Sequence, residues 1–136
     1  MTVFVIGFDE PAARDVQQAG GKAARLAEMA QARLPVPPGF AVSAAAWRAF
    51  LADGPHRRRL EDILARTGGG PAALEDAARR LREIVLEQPL PAALEAEIGA
   101  AYARLGAGDP PMTVRSSATL EDATSDSFAD QYETFL

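Results

Sequence analysis

The hydrophobic residues of the chain follow a strand-like pattern near both ends and a helical spacing between them. The apolar stretch at residues 2–8 predicts a first, buried strand, and residues 40–42 predict a second short one. Between these strands, apolar residues three and four apart predict a helix over residues 22–33. The proline-rich stretch 34–39 ends this helix, because each proline fixes its own backbone and disfavours the helical conformation of the preceding residue.

The middle of the chain is predicted to be helical. Ser43 is a favourable N-cap for a helix that starts at Ala44, and Trp47 and Phe50 on this helix are expected in the core. Glycine and proline residues separate three further predicted helices. These cover residues 57–66, 72–87 and 92–105. Their apolar faces contain Leu60, Ile63 and Leu64 in the first, Leu74, Ala77, Ala78, Leu81 and Val85 in the second, and Leu94, Ile98, Ala101 and Leu105 in the third.

The C-terminal part returns to a strand-like pattern. Residues 112–115 predict a strand, a polar stretch follows at residues 116–130, and the alternation at residues 132–136 predicts another strand. Short strands near both ends and a mainly helical middle indicate an α+β or α/β fold. The last residue falls inside an apparent strand with no turn after it, which indicates a chain that has been cut short.

Composition and charge exclude several classes of protein. The chain has 136 residues, a net charge of −5 and an apolar fraction of 48%, which fit one globular domain or a piece of a larger one. The acidic balance disfavours a nucleic-acid surface. The absence of cysteine excludes disulfides, thiolate zinc sites and a cysteine nucleophile. No apolar run approaches the roughly 18 residues of a membrane span, and no signal peptide is evident, so we expect a cytoplasmic protein without membrane partners.

The first candidate for chemistry is the segment Gly20, Gly21 and Lys22 at the start of the predicted helix. Lys22 is the only lysine in the chain. Backbone N–H groups at a helix start lack partners within the helix, and with the helix dipole they favour an anion. The spacing of a Walker A loop is absent. The segment therefore fits either a phosphate-binding helix start or a solvated lysine.

The second candidate, residues 114–122, leads from the predicted strand into small hydroxylated residues. Arg115 can hold phosphate oxygens through two parallel hydrogen bonds, and Ser116 follows it directly. The alternative is a surface loop in which serine and threonine form local turns. Glu121 and Asp122 are candidate Mg²⁺ ligands or ordinary solvated carboxylates.

Residues 127–133 form a third candidate segment, in which Phe128 stands among polar residues. This phenylalanine is expected either to anchor a loop or to pack inside the domain. His56 is the only histidine, so at most one residue is available for a histidine-based metal site or a Ser-His-Asp triad.

Taken together, these segments resemble one family. Residues 19–29 and 34–43 resemble the start of the nucleotide-binding domain of phosphoenolpyruvate synthase and pyruvate phosphate dikinase. Residues 114–122 and 127–136 are similar to the next signature of the same domain, in the same order. Rifampicin phosphotransferases share both signatures, so the resemblance identifies the family and leaves the enzyme within it open.

The resemblance implies an ATP-grasp-type domain in which ATP lies between two lobes. Residues 1–136 would then be a partial domain, its N-terminal lobe. Lys22 and Arg115 match the family's lysine and arginine that contact the ATP phosphates, and they are the implied catalytic residues. The implied nucleotide-binding set also contains Gly20, Gly21, Ser116, Ser127 and Gln131.

The implied activity is a phosphotransferase that passes a phosphoryl group from ATP through a phosphohistidine to pyruvate or another acceptor. The Mg²⁺ ligands, the phosphohistidine domain and the pyruvate-binding barrel are expected beyond Leu136, so this chain alone is expected to be inactive. Asp130 stands where the family has glycine, and its charge would repel a nearby phosphate. The alternatives are a fragment of a rifampicin phosphotransferase-like enzyme, a non-catalytic module that binds a nucleotide or a partner chain, and a degenerate structural remnant.

Overall fold

The computed structural model describes residues 2–52, 54–119 and 134–135. The elements are β1 (Val5–Gly7), a 3₁₀ turn (Pro11–Arg14), α1 (Val16–Ala19), α2 (Gly21–Gln31), β2 (Phe40–Val42), α3 (Ala44–Ala52), α4 (Gly54–Arg66), α5 (Pro71–Glu87), α6 (Ala92–Leu105), β3 (Val114–Arg115) and β4 (Thr134–Phe135). They form two compact units. The terminal unit contains Met1–Trp47 and Ala92–Leu136, and the inserted unit contains Arg48–Pro91. Short strands toward both ends and a helical middle confirm the predicted α+β class.

The first two strands form an antiparallel pair in the terminal unit, in which Ile6 lies opposite Ala41. One backbone hydrogen bond continues the ladder at each end: the amide of Ser43 donates to the carbonyl of Phe4 at 2.8 Å, and the amide of Phe8 to that of Gly39 at 3.1 Å. The strand predicted at residues 2–8 is therefore shorter, because β2 provides only three paired residues. The second predicted strand is confirmed over its full length.

The buried positions of the terminal unit are occupied mainly by alanine. Ile6 packs with two alanines, and a second cluster consists of alanines alone, while Phe8 packs against both. The clusters are Ile6, Ala13 and Ala27, and Ala19, Ala23 and Ala41. Because alanine side chains are small, helices and strands can approach closely here, and backbone and polar contacts between them become important.

Helix α6 contacts β1 through a carboxylate. One oxygen of Glu97 accepts hydrogen bonds from the amides of Phe4 and Val5, at 3.0 and 3.2 Å. These two amides would otherwise need other partners, since buried backbone groups are almost always hydrogen-bonded. Glu97 thus attaches the helix to the first strand across most of the length of the chain.

The start of α3 confirms the predicted cap. The hydroxyl of Ser43 accepts from the amide of Ala46 at 3.3 Å and donates to the carbonyl of Val3 at 2.9 Å. The prediction for the aromatic residues was half right: Phe50 is buried, but Trp47 is 52% exposed. The buried stripe runs through Ala46 and Phe50, four residues apart, and Trp47 is rotated by about 100° from Ala46 around the helix.

Helix α2 is held at its C-terminal end by one side chain. The side-chain nitrogen Nε2 of Gln31 donates to the backbone carbonyls of Phe8 and Glu10, at 3.1 and 2.9 Å. The helix ends at Gln31, two residues before the predicted end, because Arg33 adopts a left-handed backbone conformation with φ of 60°. The amide of Leu34 then donates to the carbonyl of Met29, which closes the helix end.

Two short elements between β1 and α2 were not predicted. They are the 3₁₀ turn and α1, which together occupy residues 11–19. The carboxylate of Asp15 caps α1 by accepting from the amide of Gln17 at 2.9 Å, and the side chain of Gln18 donates to it at 2.8 Å. The hydrogen bond from the Gln18 side chain and then that from Gln17 hold the pKa of Asp15 below its ordinary value.

The inserted unit is built around the packing of α4 against α5. Its buried core contains Ile63, Ala77 and Ile84, with Leu60 and Leu81 partly buried beside it. Three residues of the predicted apolar faces are not buried: Leu64 and Leu74 are 63% and 58% exposed, and Ala78 is exposed as well. One helix packed on another buries only a narrow stripe of each, and these three residues lie outside that stripe. Val85 is half-buried and Ile84 takes the central position.

The C-terminal strands also form an antiparallel pair, in which Val114 lies opposite Phe135 and Arg115 opposite Thr134. The strand predicted at residues 112–115 begins two residues later, at Val114. The strand predicted at residues 132–136 is present at Thr134–Phe135, and its other positions lie outside the described residues. None of the helices in the described ranges is long and apolar enough to cross a membrane.

Candidate functional site

Two of the three candidate segments meet at the start of α2. The hydroxyl of Ser117 donates to the carbonyl of Ala19 at 3.0 Å and accepts from the amide of Ala23 at 3.2 Å. The next residue, Ala118, accepts a hydrogen bond from the amide of Gly21 at 3.1 Å. In the chain, Ser117 is 94 positions from Ala23 and 98 positions from Ala19. We call these contacts the junction, defined by residues 19–23 and 117–118.

The junction requires a residue without a side chain at position 20. Gly20 has φ of 81° and ψ of 163°, a conformation that is essentially restricted to glycine. A Cβ atom at this position would lie 2.8 Å from both the carbonyl carbon and the carbonyl oxygen of Ser117. The backbone of Ser117 thus approaches Gly20 more closely than any larger residue would permit.

The junction also provides partners for two amides at the start of α2. The amide of Gly21 donates to Ala118 and that of Ala23 to Ser117, while the amide of Gly20 donates to Val16 at 2.9 Å and closes α1. The expectation that the amides at this helix start lack partners was wrong for Gly21 and Ala23. The two glycines contribute here through close backbone packing and protein hydrogen bonds. Their predicted contact with nucleotide phosphates stays a prediction.

One candidate cation lies within the junction and the other lies two residues before Ser117. Lys22 is the second residue of α2 and is half-buried, between the two residues whose amides bind Ala118 and Ser117. Arg115 is the last residue of β3 and is exposed. Since consecutive Cα atoms are about 3.8 Å apart, Arg115 starts within about 7.6 Å of Ser117, and Lys22 within about 4 Å of Ala23. The segments that carry both cations are therefore in direct contact.

Ser116 lies between Arg115 and the junction. Its hydroxyl oxygen is buried and has no hydrogen-bond partner among the described residues. A buried hydroxyl without a partner loses its hydration with no compensating bond, so such groups are uncommon and need an explanation. The position next to Arg115 is compatible with its predicted contribution to a binding site.

The third candidate segment lies outside the described residues. This applies to Ser127, Phe128, Asp130 and Gln131. Glu121 and Asp122 lie outside them too, and the predictions for all six residues stay predictions. The histidine, His56, is a half-buried residue of α4 in the inserted unit, whereas Lys22 and Arg115 belong to the terminal unit.

The described residues do not fit a resident magnesium site. Within residues 2–52, 54–119 and 134–135, there is no group of three or more histidine, cysteine, aspartate or glutamate residues that could hold a metal ion. Mg²⁺ prefers several oxygen ligands in near-octahedral geometry.

Sequence reasoning missed Ser117 as a structural link. The residue belonged to a candidate segment, but its role depends on a contact with a helix almost a hundred positions away. A signal was nevertheless present: two adjacent glycines at a helix start allow another chain segment to approach, and the serine pair after Arg115 provides hydroxyls that can cap amides.

Known proteins confirm the family that the signatures indicated. A phosphoenolpyruvate synthase of Neisseria meningitidis is 40% identical over 142 residues, covering 98% of this chain and 18% of that protein. One of Deinococcus radiodurans is 45% identical over 127 residues, covering 90% of the chain and 16% of that protein. A rifampicin phosphotransferase of a Streptomyces species is 37% identical over 134 residues, covering 97% and 15%.

The chain thus spans less than a fifth of the length of these relatives. Residues 16–136 match the family described as "Pyruvate phosphate dikinase, AMP/ATP-binding domain". This range includes all three candidate segments, the whole inserted unit and the terminal unit from residue 16 onward. The chain therefore belongs to the pyruvate phosphate dikinase AMP/ATP-binding domain family.

Proposed function

We propose that this chain is the ATP-binding portion of a phosphoenolpyruvate synthase-like phosphotransferase, and that Lys22 and Arg115 contact the phosphates of ATP. The observation that carries the proposal is the junction, because it joins the segment of Lys22 to the segment of Arg115. The choice of ATP as the ligand is supported by the family, whose description names AMP/ATP binding.

The chemistry of the two cations suits a polyphosphate. Lysine presents a compact charge on a flexible stem, whereas arginine presents a planar fork that can bind two phosphate oxygens together. A pair of unit charges 4 Å apart attracts by about 1 kcal/mol in water and by about 4 kcal/mol at an effective dielectric constant of 20. Two cations on one triphosphate would therefore contribute substantially, although the chain as a whole has a charge of −5.

Phosphoryl transfer depends mainly on positioning and on positive charge against the phosphate oxygens. Lys22 and Arg115 supply charge, and the junction restricts where the two side chains begin. The buried hydroxyl of Ser116 would donate to or accept from a group held beside Arg115. Ser127 and Gln131 complete the proposed binding set from the segment outside the described residues.

The remainder of the activity belongs to the whole protein. We propose an ATP-grasp-type arrangement with this chain as the N-terminal lobe, transfer through a phosphohistidine, and pyruvate as the acceptor, in keeping with the phosphoenolpyruvate synthases among its relatives. Mg²⁺ would be held mostly by residues beyond Leu136. A cytoplasmic location, where ATP is available, is part of the same proposal.

The proposal is tested by calorimetric titration of the chain with Mg-ATP. We expect binding by the parent chain and at least tenfold weaker binding by Lys22→Ala and by Arg115→Ala, since each removes one charge from the phosphates. Arg104→Ala is the matched control, because it removes an exposed cation of the same unit from the last turn of α6. Absence of binding by the parent, or equal binding by all four chains, would contradict the proposal.

A second experiment separates a catalytic segment from a non-catalytic module. The matched segment of the Neisseria meningitidis phosphoenolpyruvate synthase is replaced by this chain, and formation of phosphoenolpyruvate from pyruvate and ATP is measured. Activity of this chimera that is lost in its Lys22→Ala variant supports the enzyme portion. A folded, ATP-binding but inactive chimera favours the alternative of a binding module.

The rifampicin phosphotransferase relative supports a second candidate, in which rifampicin takes the place of pyruvate. The ATP-binding role of this chain is the same in both candidates. The corresponding chimera with the Streptomyces enzyme, assayed for phosphorylated rifampicin, tests whether the segment also works in that setting.

A further inference from the structure

We infer that Ser117 is a positioning residue, which fixes Arg115 relative to Lys22 for phosphate binding. The inference deepens the proposed function and rests on it. Its basis is a single hydroxyl that bonds on both sides of the Gly-Gly-Lys segment, to the carbonyl of Ala19 and to the amide of Ala23.

The hydroxyl of Ser117 uses donor and acceptor functions at once. It donates to Ala19 at 3.0 Å and accepts from Ala23 at 3.2 Å, which fixes the orientation of the side chain. The neighbouring bond from the amide of Gly21 to Ala118 adds a third link at 3.1 Å. One hydrogen bond alone would leave the segment free to rotate about it, whereas three bonds from two consecutive residues restrict both its place and its direction.

The same bonds explain why positioning matters here. Because amides at the start of α2 donate to Ser117 and Ala118, the side chains of Lys22 and Arg115 carry the proposed phosphate contacts. Arg115 is exposed and belongs to a strand of only two residues, so the strand itself provides little restraint. Ser117, two positions later, provides the nearest described attachment to α2.

Loss of the hydroxyl is expected to reduce the fraction of molecules in which the Arg115 segment is docked. The apparent dissociation constant of a ligand rises in inverse proportion to the fraction of the protein that is competent to bind. If docking falls to about one tenth, ATP binding weakens about tenfold. Threonine keeps the hydroxyl and should restore binding, whereas alanine removes it.

The experiment compares Ser117→Ala and Ser117→Thr in the full 136-residue chain, with Thr113→Ala as a control that removes an exposed hydroxyl from the position just before β3. Calorimetry measures Mg-ATP affinity, and amide hydrogen exchange is followed at Gly21, Ala23 and Ile6. For Ser117→Ala we expect about tenfold weaker ATP binding, faster exchange at Gly21 and Ala23, and unchanged exchange at Ile6. For Ser117→Thr we expect an ATP affinity and exchange rates within about threefold of those of the parent chain.

A double-mutant cycle tests whether Ser117 acts through the arginine. In an Arg115→Ala background, Ser117→Ala should have little additional effect on ATP affinity, because the side chain that it positions is already absent. Equal effects in both backgrounds would overturn the inference, and so would faster exchange at Ile6 together with the junction amides, which would indicate a general loss of structure.

The outcomes distinguish this inference from the proposed function. If Lys22→Ala and Arg115→Ala lose binding while Ser117→Ala binds as the parent does, the positioning role is overturned and the proposed function stands. If the parent chain itself binds no Mg-ATP, the proposed function fails and the positioning role fails with it.

Discussion

The terminal and inserted units of this chain are stabilised by different kinds of contact. In the terminal unit, alanines fill most buried positions, and hydrogen bonds that the side chains of Glu97, Gln31 and Ser117 form with the backbone of other elements join the unit together. In the inserted unit, Ile63 and Ile84 form the core, and the polar contacts around it are mainly exposed ion pairs.

The difference concerns how well each kind of contact fixes a geometry. Hydrophobic packing is non-directional and scales with the area that is buried, whereas a hydrogen bond constrains both distance and angle. Exposed ion pairs contribute only about 0–1 kcal/mol each. The terminal unit is thus the better place for a site that must hold two cations at a defined separation. Helices α4 and α5 can pack together without fixing their side chains at so defined a separation.

The largest effect is expected in the core of the inserted unit. Ile84 is only 3% exposed, and Ile84→Ala should lower the free energy of unfolding by about 3 kcal/mol, through lost burial and the cavity that remains. Urea denaturation followed by circular dichroism measures the change. Leu86→Ala, at a neighbouring side chain that is 78% exposed, should change it by less than about 0.5 kcal/mol. Similar losses in both variants would show that the core assignment of α5 is wrong.

A somewhat smaller effect is expected from crowding the junction. Gly20→Ala places a methyl group against the backbone of Ser117 and strains a left-handed conformation, so we expect a loss of about 2 kcal/mol in unfolding free energy and weaker ATP binding. The matched glycine is Gly99, within α6, where an added Cβ meets nothing within 4 Å. Gly99→Ala should stabilise the chain by up to about 1 kcal/mol. Chemical denaturation measures the free energy of unfolding of both variants. An increase in Gly20→Ala would rule out the close approach of the Ser117 backbone to Gly20.

The carboxylate of Glu97 tests the polar construction of the terminal unit. Glu97→Ala leaves the amides of Phe4 and Val5 without their acceptor, and we expect a loss of about 1.5 kcal/mol in unfolding free energy with faster hydrogen exchange at both amides. Glu95→Ala, at an exposed position of the same helix, should cost less than about 0.5 kcal/mol. Unchanged exchange at Phe4 and Val5 would contradict the link between α6 and β1.

The smallest effect concerns an exposed polar contact of the terminal unit. The hydroxyl of Tyr102 donates to the carboxylate of Asp109, and this hydrogen bond, with smaller effects of burial and charge, raises the pKa of Tyr102. A raised pKa means that the contact stabilises the fold below the ordinary tyrosine pKa and is lost as pH rises through the folded value. In a Tyr132→Phe background, Tyr102 is the only tyrosine, and ultraviolet titration should show that it ionises above the ordinary pH range of tyrosine. Asp109→Asn should lower the pKa of Tyr102.

The sequence predicted local structure better than long-range contacts. Residues 92–105 were predicted as a helix and form α6 over the same range, because proline and glycine mark its ends. The Ser43 cap was confirmed for a similar reason, since capping involves neighbours along the chain. The exposed positions of Leu64 and Leu74 were missed because helical spacing gives an apolar face but not the width of the stripe that a partner helix covers.

For the candidate site, the sequence predicted the types of residue involved, whereas the contact between the Lys22 segment and the Arg115 segment was supported only by the family resemblance. Nothing in local pattern states that Ala23 and Ser117 share a hydrogen bond, since 94 positions separate them. The glycine pair was interpreted as a phosphate-binding helix start, and the structure gives Gly20 a second function, the close packing of two backbones. Long-range partners are determined by tertiary packing, which a single sequence does not display.

The side-chain amide of Gln31 has a consequence for the chemical ageing of the protein. Its nitrogen donates to two carbonyl oxygens, those of Phe8 and Glu10, and a carboxylate oxygen, which only accepts, could not replace it there. Deamidation would convert this donor into an anion that faces two acceptors, and repulsion would take the place of attraction. Slow release of ammonia from one glutamine would thus detach the far end of α2 from the turn after β1, and stored protein would lose this anchor without any break in the chain.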